Sequence, residues 1–283
     1  METAVLKLHC QDVKGIVYNV SRYLFECGGN IISAEQHAES IDNRFFMRVF
    51  FDCTALNRTR EEFRTGLSVL AAKFDMQVQL SFSDSRKRMA VLVSKYDHCL
   101  HDLLLRHQYG EINADFSLIV SNHRALEPVA ETFHVPFFYL PVTSETKQEA
   151  EKKLLELFQA HHVDFVVLAR YMQILSGEFV SHYQHRIINV HHGLLPAFKG
   201  ARPYHQAYEH GVKIIGATSH YATADLDMGP IIEQQTVRVD HTHSVEALVA
   251  MGRDIERNVL SAAVKAHADD RIMVYRRRTI VFR

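Results

Sequence analysis

"RIINVHHGLLP", Arg186–Pro196, opens as a continuous apolar run and ends on an amide and two adjacent histidines. A run without polar alternation is how a strand buried on both faces reads, and Asn189, His191 and His192 at its end must then find partners or water. Three further runs share this character: "MAVLVS" from Met89, "FSLIVS" from Phe116 and "DFVVLA" from Asp164, with helical segments between them. That alternation predicts an α/β unit on a doubly wound, mostly parallel sheet. Ligands of such sheets sit beyond the carboxyl ends of the strands, where Asn189 and His191 stand.

The flanking helices are legible too. Thr146–His161 puts Ala150, Leu154, Leu157 and Phe158 on one face, and Thr146 and Glu149 have capping-box spacing. A helix near Ser244–His267 turns Leu248, Met251, Ile255, Val259 and Ala263 inward. Between them "IIGATSHYATADLDMGPIIEQ" reads as strand, loop and strand, with His220 ending the first strand, Asp225 and Asp227 in the loop, and Gly229-Pro230 closing it. In an extended strand end His192 should point away from His191.

The first eighty residues follow another rule. "AVLKLHC" alternates as a half-buried strand, and "GIVYNVSRYLFECGGN" is a helix stopped by Gly28-Gly29. "IISAEQHA" and "NRFFMRVFFD" form a hairpin pair, "TREEFRTGLSVLAAKF" a second helix and "MQVQLSF" a last strand. The order βαββαβ fits a ferredoxin-like sandwich. "SDSRKR", Ser83–Arg88, reads as a linker, so the expected division is a unit over 1–82, a linker over 83–88 and a second unit over 89–283.

Composition bounds the function. The 283 residues are 47% apolar and 23% charged, which suits a folded globular chain. Lys plus Arg (32) balance Asp plus Glu (33), so no net field favours nucleic acid or an anionic membrane. The basic run Arg276–Arg278 is expected on a solvated edge. No apolar run approaches the ~20 residues of a membrane span, and no signal peptide is apparent. Cys10, Cys27, Cys53 and Cys99 lack a CxxC pair, as buried or free thiols of a reducing cytosol do.

Nineteen histidines raise the question of a metal. Yet 191–192 and 161–162 are adjacent pairs, no HExxH helix occurs, and His241 and His243 lack a companion cluster, so no metal is expected. There is no G-x-S-x-G elbow, no G-x-G-x-x-G and no P-loop. What remains is Asn, His and Asp, a set suited to attack on a small carbonyl. An amide donates to the oxyanion, an imidazole polarises or protonates it, and a carboxylate orients water or carries a proton.

Two resemblances give these residues names. "LHCQDVKGIVYNVSRYLFECGGNI", with Asp12 before the Gly15-led helix, resembles the opening of an ACT domain; that family pairs through sheet or helix edges and often binds a small amino acid at the interface. The resemblance implies a regulatory or assembly role, with Asp12 and Gly15 at the effector turn. "INVHHGLLPAFKGARP" followed by "GATSHYATADLDMGPII" resembles the formyltransferase fold of enzymes that use 10-formyltetrahydrofolate. It carries the catalytic roles to Asn189, His191 and Asp227 and a supporting role to His220. "LARYMQILSGEFV" is similar to the folate-lining segment and brings in Arg170, Met172, Ile174 and Leu175. Gly193 departs from the pattern, which has Ser there.

The combination of both halves, with "HH" and "GARPYHQAYE" in the loop, is similar to the formyltetrahydrofolate deformylases. This implies hydrolysis of 10-formyltetrahydrofolate to formate and tetrahydrofolate in a cytoplasmic homo-oligomer, with no prosthetic group. Protonated His191 and Asn189 would hold the oxyanion, and Asp227 would orient water and relay a proton toward N10. The loop after "MAVLVS" reads "KYDHCLHDLL", without the glycines of a phosphate-binding loop. A formyltransferase to a small amine and a silent amino-acid sensor are the alternative readings.

Overall fold

The computed structural model describes residues 2–197 and 203–283. Phe198, Lys199, Gly200, Ala201 and Arg202, part of the loop motif quoted above, lie outside the described residues. The chain divides into two compact units, Met1–Arg86 with Phe282–Arg283, and Lys87–Val281.

The first unit runs β1 (Thr3–Gln11), α1 (Ile16–Glu26), β2 (Asn30–Glu39), β3 (Arg44–Asp52), α2 (Arg60–Lys73) and β4 (Gln77–Phe82). Its strands form a four-stranded sheet of order β2-β3-β1-β4 with antiparallel neighbours, the arrangement expected of an ACT-like sandwich. Ile16, Val20 and Leu24 of α1 and Phe63, Leu67 and Ala71 of α2 bury their apolar stripes in one core with Leu6, Leu8 and Phe51. Gly15, at φ 97°, starts α1 in a conformation that side chains rarely adopt, and Asn19 Nδ2 donates back to its carbonyl at 2.7 Å. Asp12 is tied to the β2–β3 turn, its N–H donating to Asn43 O at 2.9 Å.

The second unit is built on a seven-stranded sheet of order β11-β10-β9-β8-β5-β6-β7. Strands β5 (Lys87–Val93), β6 (Ala114–Ser121), β7 (Phe137–Tyr139), β8 (Phe165–Leu168) and β9 (Ile187–His191) are parallel to one another. Strands β10 (Ile214–Tyr221) and β11 (Ile231–Arg238) complete the sheet antiparallel. The apolar runs are continuous because both faces are covered. Met89, Val91 and Val93 of β5 enter one cluster, while Ala90 and Leu92 enter the other. Helices α3 (His98–Gln108), α4 (Glu127–Thr132), α5 (Lys147–Ala160), α6 (Gly177–His182), α7 (Pro203–Glu209) and α8 (Val245–Ala268) connect or cover the strands.

Some local expectations differ from the structure. Strand β5 begins at Lys87, inside the segment expected to be a linker. Thr146 makes no capping bond to α5; it exchanges hydrogen bonds with Thr143, while Glu149 pairs with Lys153. The capping box forms instead on α2, between Thr59 and Glu62. The short strand β7 was not expected. The basic run Arg276–Arg278 is exposed at the turn joining β12 (Ile272–Tyr275) and β13 (Arg278–Val281).

Candidate active site

Antiparallel pairing of β9 with β10 creates the site. His220 is the register partner of Asn189 and Thr218 that of His191, so two residues from each strand share one face. His220 Nδ1 donates to Tyr221 O at 3.0 Å, which turns its Nε2 toward Asn189 and Asp227. Asn189 Nδ2 lies 3.1 Å from that Nε2. One amide hydrogen is thereby used to orient Asn189, and the other remains for a substrate oxygen.

The loop between β10 and β11 brings Asp227 over this face. Its Oδ2 is 3.3 Å from His191 Nδ1 and its Oδ1 is 3.7 Å from His220 Nε2. All three side chains are at least nine-tenths buried. The contacts with His191 first and His220 second hold the Asp227 carboxyl far below the usual carboxylate range, overcoming burial, which pushes it up. Asp227 adopts φ 56°, a left-handed conformation that Asp and Asn tolerate better than most residues. Gly229 is required two residues on, because a Cβ there would lie 1.7 Å from Tyr221 O.

The turn after His191 is held by a buried hydroxyl. Thr218 Oγ1 donates to Gly193 O at 2.9 Å and accepts from Leu195 N–H at 3.1 Å and Gln234 Nε2 at 2.9 Å. The Leu195–Pro196 peptide in this turn is cis. Gly193 thus contributes a backbone carbonyl where the family pattern has a serine side chain. Neither Thr218 nor Gln234 was assigned a role from the sequence, although "GATSH" displays a hydroxyl in an otherwise apolar strand.

The segment expected to line a folate pocket splits by burial. Met172 and Ile174 are exposed, Leu175 is buried in the core beside Phe179, and Arg170 turns its side chain inward. Met172 N–H donates to Ser94 Oγ at 3.0 Å, which anchors this loop to the end of β5. Leu226 and Met228, flanking Asp227, are exposed as well. Isolated exposed apolar side chains need no explanation, but these four stand on the two loops that follow β8 and β10.

Contrary to expectation, His192 does not turn away from His191. Strand β9 ends at His191, the chain bends, and the two ring centroids are 5.3 Å apart. Burial first, then Arg170, lowers the His192 pKa to about 4. Behind it lies a cluster that no reading of the sequence foresaw. Glu256 of α8 is 1% exposed, and its Oε2 is 2.8 Å from His98 Nε2 and 3.5 Å from Arg170 Nε. Tyr204 OH donates to its Oε1 at 2.9 Å. Burial pushes the Glu256 carboxyl up, yet His98, Arg170 and Tyr204 together bring it below its ordinary value. The available signal was a charge on the inward stripe of a helix, between Gly252 and Leu260.

His98, Cys99 and Glu256 have the residue types of a metal site and their ligand atoms lie within 4.8 Å of one another. The donors do not fit a cation. Glu256 is committed to a guanidinium and a hydroxyl, and burial, then Glu256, pushes the Cys99 thiol up, away from the thiolate a metal needs.

Comparison with known proteins agrees with this geometry. The Formyl transferase family model matches residues 87–264. Formyltetrahydrofolate deformylase of Bacillus subtilis is 48% identical over 98% of this chain and 93% of its own length. The Escherichia coli K12 deformylase is 38% identical over 99% of both chains. The chain belongs to the formyltetrahydrofolate deformylase family. A deformylase structure from Pseudomonas syringae superposes with a TM-score of 0.97 at 41% identity, covering 100% of this chain and 95% of that one. Glycinamide ribonucleotide transformylase 1 from Symbiobacterium toebii matches with a TM-score of 0.67 at 32% identity, over 72% of this chain and 98% of its own. Deformylases therefore match along both units. Among the described residues no helix is long and apolar enough to cross a membrane.

Proposed function

We propose that this chain hydrolyses 10-formyltetrahydrofolate to formate and tetrahydrofolate. The observation that carries the reading is the meeting of Asn189, His191, His220 and Asp227 at the strand ends, in a chain of the deformylase family. Water attacks the formyl carbon and gives up a proton as the C–O bond forms, the free Asn189 amide hydrogen and His191 donate to the oxyanion, and the C–N10 bond breaks as N10 takes that proton. Asp227 orients the water and offsets the charge that gathers on His191. Held as a carboxylate by its histidine contacts, Asp227 also relays the proton of the water toward N10. Arg170, Met172, Ile174 and Leu175 would border the folate. The folate is a substrate, and no prosthetic group takes part.

Formate release from 10-formyltetrahydrofolate without added amine tests this. A transferase would need an acceptor, and a silent sensor would release nothing in either case. The 1–82 unit we take as an ACT-like regulatory domain, and the catalytic domain as the unit that starts with β5 at Lys87, so that the linker expected over 83–88 shortens to 83–86. It would bind a small amino acid through the Asp12–Gly15 turn between copies of the chain, in a cytoplasmic homo-oligomer. Calorimetry in which no amino acid binds would leave it an assembly role.

A further inference from the structure

A hydrolase on a transferase fold must let water, and no other nucleophile, reach the formyl carbon. What borders His191 bears on this. The His192 ring lies 5.3 Å from the His191 ring and 6.3 Å from that of Tyr204. Tyr204 packs onto Gly252 of α8 so closely that a Cβ there would sit 2.1 Å from its Cζ. Its hydroxyl leads to Glu256, and Glu256 to His98 and Arg170. The Arg170 guanidinium lies over the Tyr96 ring, 4.9 Å from its centroid. A continuous wall of rings thus runs from the reacting histidine to the loop that follows β5.

Within this wall the Glu256 carboxylate faces the Arg170 guanidinium and accepts from Tyr204, so among the described residues its opposite charges answer each other, while Arg170 Nε and Nη1 are buried without a hydrogen-bond partner. At the far end, a loop that seats a phosphate needs small residues and open backbone N–H groups; here Tyr96 and His98 put rings there. Resting on the hydrolase reading above, we propose that His192, Tyr204, Glu256, His98 and Arg170 are a specificity wall that excludes an organic amine from the acceptor position and leaves water as the formyl acceptor. In both reactions the C–N10 bond breaks and N10 takes a proton. With water the new bond is C–O and formate forms; with an amine it is C–N, and the amine loses a proton to give a formamide.

The test is a partition ratio, which a merely structural role would not move. Parent and variants are given 10-formyltetrahydrofolate with hydroxylamine or glycinamide, and formylated amine is measured against formate. The parent should give formate alone. Tyr204→Ala, which removes the ring between His192 and Gly252, should raise the ratio by about tenfold or more, the scale of discrimination by small pocket volumes. Tyr204→Phe keeps the ring and should keep the parent ratio. If Tyr204→Ala does not fold, His98→Ala opens the other end of the wall and should raise the ratio likewise. Folded openings with the parent's ratio, or a parent that already formylates amines alongside hydrolysis, would overturn the wall. A parent that releases no formate at all would instead break the hydrolase reading.

Discussion

Two carboxylates of the second unit face histidines, and their settings differ in tightness. Asp227 stands in a loop at φ 56°, with imidazole nitrogens at 3.3 and 3.7 Å. Glu256 stands on a 24-residue helix, with partners at 2.8 and 2.9 Å and the guanidinium at 3.5 Å. Glu256 is held by three side chains of the protein, two of them closer than either histidine of Asp227, so Asp227 is the freer of the two to meet a reactant. The same chemical elements therefore give a working group on a strained loop and a wall on a rigid helix, in line with the tendency of backbone strain to gather where chemistry occurs.

Asp227→Asn probes the loose side and carries the largest expected effect. Asn adopts left-handed backbone as readily as Asp, so the loop should survive. It cannot hold a compensating negative charge beside His191. Turnover should fall by ~10²–10⁴-fold with little change in KM, the signature of a lost transition-state interaction. Formate release within about threefold of the parent would make Asp227 a turn residue like any other.

Glu256→Gln probes the tight side, and stability is where it should register. Gln keeps the shape but leaves the Arg170 guanidinium buried without its counter-charge, which typically costs about 3 kcal/mol or more. For a unit of this size the thermal midpoint should drop by roughly 6–12 °C. Because the folded pKa of Glu256 lies below its ordinary value, its stabilisation is present above the unfolded carboxylate range near about pH 4.3 and fades as pH falls below it. A midpoint unchanged at neutral pH would mean the cluster is not an ion-paired unit.

The contrast also explains what was legible in the sequence. Asn189, His191, His220 and Asp227 sit beside strand ends and a Gly-Pro turn, and local pattern places such residues well. The sheet was legible for the same reason, since runs such as Val166–Leu168 admit few other readings. His98, Tyr204 and Glu256 come from three separate helices, and only the packing of α3, α7 and α8 gathers them. Local pattern carries no record of that meeting. His192 was misjudged because strand alternation was extended one residue past the point where β9 ends. Thr146 failed as a cap because its hydroxyl was taken by Thr143, a nearby competitor for the same group.

Tyr204→Phe is a smaller perturbation of the tight cluster. It removes one hydroxyl from Glu256 Oε1 and keeps the ring over Gly252. A buried acceptor left without its donor costs about 1–3 kcal/mol, less than the loss of a charge partner. Denaturant unfolding should therefore rank Tyr204→Phe between the parent and Glu256→Gln. A larger loss than that of Glu256→Gln would shift the centre of the cluster from the carboxylate to the tyrosine.

The smallest effect concerns His192, which stands between the two carboxylates. Burial lowers its folded pKa to about 4 from the ordinary 6.5; Arg170 and His191 lower it too, and Glu256 and Asp227 oppose them. Between those two values the unfolded chain binds a proton that the folded chain refuses. Stability therefore rises with pH across this window and falls as the solution is acidified from 6.5 toward 4. At neutral pH and above the term vanishes, and by pH 5 it is about 2 kcal/mol. His192→Gln keeps a polar side chain but cannot titrate. Its thermal midpoint should decline less than the parent's between pH 7 and pH 5, while the other histidines contribute equally to both chains. Parallel curves would mean that His192 accepts a proton in the folded state as freely as in the unfolded one. The ring would then be solvated and could not belong to a dry wall between Asp227 and Glu256.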